Sequence, residues 1–164
     1  MTVHVLAARD GRELGDKQRA GVIVTAALAP DLDLLLRFAD GRNHHQAEMH
    51  SLGFALAAAL AVYPIARLRH WSRPWALALA AGSAWLSHVL LDYLNRDTHP
   101  PIGIMALWPA TRGYFKFPWP VFLDIGRTLD WTTAWHDALA AAWEVAVLAP
   151  LLLVAWWLRH GRKA

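Results

Sequence analysis

Four apolar stretches stand out along the chain, Ala20 to Ala29, Ser51 to Ala66, Pro74 to Leu91 and Ala138 to Leu158, with polar segments between them. Their length and their Ala and Leu richness predict helices, because both residues lose little on entering a helix and strands rarely run so long. At about 1.5 Å per residue the fourth spans a ~30 Å hydrocarbon core, and the second and third are marginal or adequate. The first is too short alone. It breaks at Pro30, which cannot continue a helix, and resumes as Leu34, Leu35 and Leu36, a pattern that suits a re-entrant segment or one packed inside a bundle. The expected fold is all-α, a small polytopic membrane helical bundle.

Hydrophobic residues make up 56% of the sequence and charged ones 18%, against roughly 45–50% and about 25% in soluble domains. The mean hydropathy of +0.24 is modest because the charges collect between the apolar runs, and a soluble all-helical protein stays open as an alternative. At 164 residues the chain suits a single membrane-embedded domain over 1–164. With no cysteine present, any metal must be held by imidazole and carboxylate. The 16 Lys and Arg never form a run long enough for a nucleic-acid arm, so no nucleic-acid partner is expected. No signal peptide precedes the polar stretch Ala8 to Arg19, which leaves insertion to internal helices.

The placement of the cations says more than their number. Arg9, Arg12 and Arg19 precede the first apolar stretch, Arg67, Arg69 and Arg73 lie between the second and third, and Arg159, Arg162 and Lys163 follow the fourth. If every stretch crosses, all three groups fall on one side. By the positive-inside rule that side is cytoplasmic, with both termini inside and the Asp31 to His50 and Leu94 to Asp137 loops outside. Trp71, Trp75, Trp156 and Trp157 at the inner ends, and Trp131 and Trp135 near an outer end, suit aromatic belts. Between Pro100 and Gly126 five prolines stand among aromatic residues, so regular helix is not expected there, and the segment suits a lid or an interfacial strap.

Three polar clusters interrupt the apolar pattern: Asp31 and Asp33 after Pro30, His45 and His50 with Glu48 between them, and His88 with Asp92. His88 and Asp92 are four apart, so on a helix their side chains share a face. An ionisable residue within an apolar helix is a functional hypothesis by default, since it costs about 2.5–3.5 kcal/mol at mid-membrane. Asp31 and Asp33, as alternate residues in an extended turn, would point the same way; Ser51 is a suitable N-cap for the following helix. Imidazole with carboxylate is the ligand set of zinc or another borderline divalent ion. Under the topology drawn from the arginines, all three clusters meet at one membrane face.

The pattern Pro30-Asp31-x-Asp33, His45 followed by His50-Ser51, His88-x-x-x-Asp92, then Gly103 and Trp108-Pro109, resembles the membrane-bound metal-dependent hydrolases of the YdjM type. That family is regarded as distantly similar to zinc-dependent phospholipase C. The resemblance covers roughly Val22 to Pro109 and implies an all-helical fold and phosphoester hydrolysis. Two departures stand out. The family's Arg-Gly-x-Thr between the histidines is replaced by Gln46, Ala47, Glu48 and Met49, and His4 lies too close to Gly15-Asp16 to match its N-terminal histidine well.

The expectation is a membrane-bound metal-dependent hydrolase of phosphoesters, lipid or amphipathic, in the inner membrane. Asp31, Asp33, His45, His50, His88 and Asp92 would supply the shell of one or two divalent ions, zinc foremost, some of them acting by orienting the others. Arg112 and Lys116 would meet an anionic headgroup, membrane lipids being the expected partner. The alternative is a non-enzymatic metal-binding membrane protein, a transporter subunit or scaffold. Polar residues bunched at one end, rather than spread through the membrane's depth, favour the hydrolase.

Overall fold

The computed structural model describes residues 15–41, 44–126, 128 and 130–160. These fall into two compact units, one of the residues up to Tyr93 with Pro101–Lys116, the other of Leu94–Pro100 with those from Phe117 onward. The described residues are all-helical with no strand, in the order α1 (Asp16–Leu28), a 3₁₀ turn (Ala29–Leu32), α2 (Asp33–Asp40), α3 (Leu52–Leu68), α4 (Pro74–Leu94) and α5 (Trp131–His160). His4, Arg9, Arg12, Arg162 and Lys163 lie outside the described residues.

In the first unit, α1 stops where Pro30 enters, and the chain turns through the 3₁₀ segment directly into α2. The expected extended turn at Asp31 and Asp33 is therefore helical. Ser51 caps α3 as expected, its Oγ accepting the Phe54 N–H at 3.2 Å. The other end of α3 closes with the Trp71 N–H on the Ala66 carbonyl at 2.9 Å and the His70 N–H on Arg67 at 3.1 Å. That pair of bonds is a Schellman motif, and it places His70 in the left-handed region at φ 54°, where glycine is usual. His70→Gly is therefore expected to stabilise the protein by about 0.5–1 kcal/mol, seen as a raised thermal midpoint in detergent; an unchanged or lowered midpoint would contradict it.

Helices α3 and α4 run antiparallel and approach closely, since a Cβ on Gly82 would stand 3.0 Å from Ala59 Cβ and 3.1 Å from the Ala55 carbonyl. One core cluster joins Ala55, Trp85, Val89 and Ile104; a second, toward the α3–α4 turn, joins Ala66 and Leu77 with Val22, Val62 and Trp71 packed on it. The N-terminal end of α1 is tied to that turn, where Arg19 Nη2 donates to Ser72 Oγ at 3.2 Å. The segment 101–116 forms no helix, in line with its prolines, and lies along the start of α3. There Ala106 and Trp108 carbonyls accept the N–H groups of Leu52 at 2.9 Å and Gly53 at 3.1 Å.

In the second unit α5 begins at Trp131 rather than Ala138, because Asp130 caps it by accepting the Thr133 N–H at 2.9 Å. That cap lets a polar turn precede the apolar run. Two helices, Pro74–Leu94 and the Trp131–Leu158 part of α5, are long and apolar enough to cross a membrane, while Leu52–Leu68 is shorter. Almost none of the second is buried within the protein, and a helix apolar all round but uncovered by protein is one suited to lipid.

Candidate metal centre

Each cluster reaches the centre by a different local device. The 3₁₀ turn after Pro30 carries Asp31 and delivers Asp33 as the first residue of α2. Residues two apart on such a turn point roughly 120° away from each other. The two carboxylates therefore grip opposite edges of one ring, that of His50. Asp33 Oδ2 lies 2.9 Å from His50 Nδ1, while Asp31 Oδ1 lies 3.6 Å from His50 Nε2. Helix α4 presents His88 and Asp92 one turn apart, as their spacing predicts.

Four atoms from three separate stretches then face one another. His50 Nε2 is 3.0 Å from Asp92 Oδ2 and 3.6 Å from Asp31 Oδ1, and His88 Nε2 is 3.4 Å from both carboxylates. A tetrahedral zinc shell with bonds of about 2.0–2.1 Å has ligand atoms roughly 3.3 Å apart. The observed separations scatter about that edge length. His50 Nε2, His88 Nε2 and Asp92 Oδ2 are buried and face one another at ion-pair distances. Buried imidazole and carboxylate atoms brought this close can share a proton or give it up to a cation. The donor set present therefore suits a divalent ion.

Asp33 and His45 stand behind this group. Asp33 is buried, its Oδ1 paired with His45 Nδ1 at 3.2 Å and its Oδ2 against His50 Nδ1. One carboxylate thus fixes two imidazoles, whose rings meet edge-on at 5.0 Å. A carboxylate behind a ligating histidine sets its tautomer and raises its basicity. Asp31, His45 and His50 also gather closely enough to form a ligand group of their own.

The charges follow the geometry. Burial alone would lower the basicity of His50, but Asp31, Asp33 and Asp92 around it push its pKa up to about 11. Asp31 is held well below the usual carboxylate range by His50 and His88. Burial would raise Asp33, yet its bonds to His45 and His50 outweigh that and leave it lowered. Such an ensemble binds positive charge strongly, whether proton or metal.

All six residues expected at the centre are thus brought together, although they do not stand equally. His50, His88 and Asp92 form one group and Asp31, His45 and His50 a second that shares His50, with Asp33 bridging His45 and His50. Arg112 and Lys116 are exposed on the segment 101–116. Glu48 is half-buried, and its charge, after partial burial, raises the Tyr114 hydroxyl's pKa. Sequence reasoning missed Trp85. Its Nε1 donates to the Met49 carbonyl at 2.8 Å, so α4 carries His88 and also anchors the loop that carries His50. On the other side the Gln46 carbonyl accepts the Met105 N–H at 2.9 Å. Trp85 sits one turn before His88, and that spacing was the available signal.

No curated protein and no solved structure matches the chain. A family model does match, over residues 1–162, and the family is one of inner-membrane proteins, in keeping with the two apolar helices. The match takes in the polar clusters and the apolar helices alike: the chain belongs to the YdjM inner membrane protein family.

Proposed function

We propose that this protein is a metal-dependent hydrolase of the inner membrane that holds one divalent ion, zinc being the best suited, and cleaves phosphoesters of lipid or other amphipathic substrates. The observation that carries the reading is the convergence of His50, His88 and Asp92 through buried ligand atoms, with Asp31 within 3.6 Å of both imidazoles. Its solvent exposure is graded, from none at His50 to 43% at the Asp31 side chain. A shell closed on one side and open on the other is the catalytic form of such a site, whereas structural sites are closed all round. When bound, the ion lowers the pKa of water toward ~7 and polarises a phosphoryl oxygen.

The chain's own part is to hold and orient. Asp33 keeps the His50 and His45 rings in place from behind, Asp31 faces the open side where substrate would enter, and Arg112 and Lys116 would meet the anionic headgroup. The cluster lies at the opposite end of α1, α3 and α4 from the α3–α4 turn with its arginines. By the positive-inside rule that turn is cytoplasmic and the cluster faces outward. On this topology both termini are cytoplasmic and all four apolar stretches cross.

The test is to load purified protein with zinc in mixed micelles and offer a panel of phospholipids and soluble phosphoesters, with Asp92→Ala as control. Turnover of an amphipathic phosphoester that disappears in the variant is expected. Activity absent on every substrate, or equal in the variant, would make the protein a metal-binding membrane protein without hydrolase action.

A further inference from the structure

The end of the first unit away from the metal cluster carries Lys17 and Arg19 at the start of α1 and Arg67, Arg69 and Arg73 around the α3–α4 turn. The Arg19 to Ser72 hydrogen bond places both sets at one end. The sequence has no Asp or Glu between Lys17 and Pro30, nor between Met49 and Leu91. Among the described residues no ion pair reaches any of the five cations.

The backbone adds to this charge. Helices α1 and α4 both begin here, so their positive dipole ends face the same way, and α4 has no acid in its first turn. Only Arg67, in the last turn of α3, has a local role that answers a helix's negative end. A field of one sign, unbalanced among the described residues, favours an anion from outside.

We propose that this end is a binding surface for anionic phospholipid headgroups, with the α3–α4 turn lying at headgroup level. The aromatic residues choose a lipid surface over a soluble anion. Trp75, 60% exposed, stands at the start of a helix long enough to cross a membrane, Tyr63 is exposed on α3, and Trp71 follows the Schellman motif at the α3–α4 turn. Indole and phenol rings at that depth sit among headgroups, and basic residues flanking a spanning helix attract anionic lipid. The surface is independent of whether the opposite end is a hydrolase.

The test uses full-length protein reconstituted in phosphatidylcholine vesicles with spin-labelled phosphatidylglycerol or spin-labelled phosphatidylcholine as probe. A preference for phosphatidylglycerol of roughly fivefold is expected, shrinking as salt is raised. The triple variant Arg67→Gln, Arg69→Gln, Arg73→Gln should bring it near unity, and the matching triple Lys variant should keep it. Helix content by circular dichroism identifies a variant that has not folded, in which case the single Arg69→Gln and Arg73→Gln proteins, each losing part of the preference, decide. No preference in the unaltered protein, or one the Gln variants retain, would overturn the proposal. So would inorganic phosphate displacing the label more than chloride of equal ionic strength, which would assign the surface to a soluble phosphoanion.

Discussion

His50→Ala is expected to empty the metal centre and to destabilise the protein by about 3–5 kcal/mol, the usual cost of removing one member of a buried ionic group. His50 is fully buried and lies within 3.6 Å of Asp31, Asp33 and Asp92. Its loss leaves three carboxylates facing one another with nothing positive between them but His88 and His45. Elemental analysis of protein purified without added metal should fall from about one ion per chain to background. Added imidazole, which fits the vacated space, should restore part of the metal. Should the unaltered protein carry no metal while His50→Ala still loses stability, the cluster is a salt-bridge network and the metal centre is disproved.

Gly53→Ala should destabilise by about 1–3 kcal/mol, although it sits in the first turn of α3, where helix propensity alone would favour Ala by up to about 1 kcal/mol. A Cβ there would overlap the Trp108 carbonyl oxygen and stand 2.8 Å from Pro109 Cδ. Neither neighbour is the free end of a flexible chain, so the segment 104–109 must move away. That movement breaks the Gly53 N–H bond to Trp108 and strains the Met105 bond to Gln46, loosening the loop that holds His50. Metal affinity is therefore expected to fall along with the thermal midpoint. A variant as stable as the parent, with unchanged metal affinity, would show that this strap does not hold the loop.

The helices were legible because their signals are local. Composition and length marked α3, α4 and the apolar part of α5, Ser51 marked a cap, and the four-residue spacing of His88 and Asp92 put them on one face. The start of α5 was misplaced because its first turn is polar, and only the hydrogen bonds of Asp130 reveal it as helix. The 3₁₀ conformation after Pro30 was likewise hidden. Proline stops a helix without fixing the conformation of the residues beyond it. The difference between an extended and a 3₁₀ turn decides whether Asp31 and Asp33 act on one target or on two edges of the same ring.

By itself, then, the sequence determined which stretches are helical, which residue types are available to a metal, and that the basic and acidic groups lie at opposite ends of their helices. The charge sorting is legible because it rides on helix direction, which reverses at each turn. Tertiary structure alone decided that Asp33 stands behind His50 while Asp31 faces the opening, that Trp85 and the strap from Met105 to Trp108 clamp the histidine loop, and that Gly53 has no room for a methyl group. Those facts rest on approaches of 2.8–3.6 Å between residues far apart in the chain, and no local periodicity encodes such a distance.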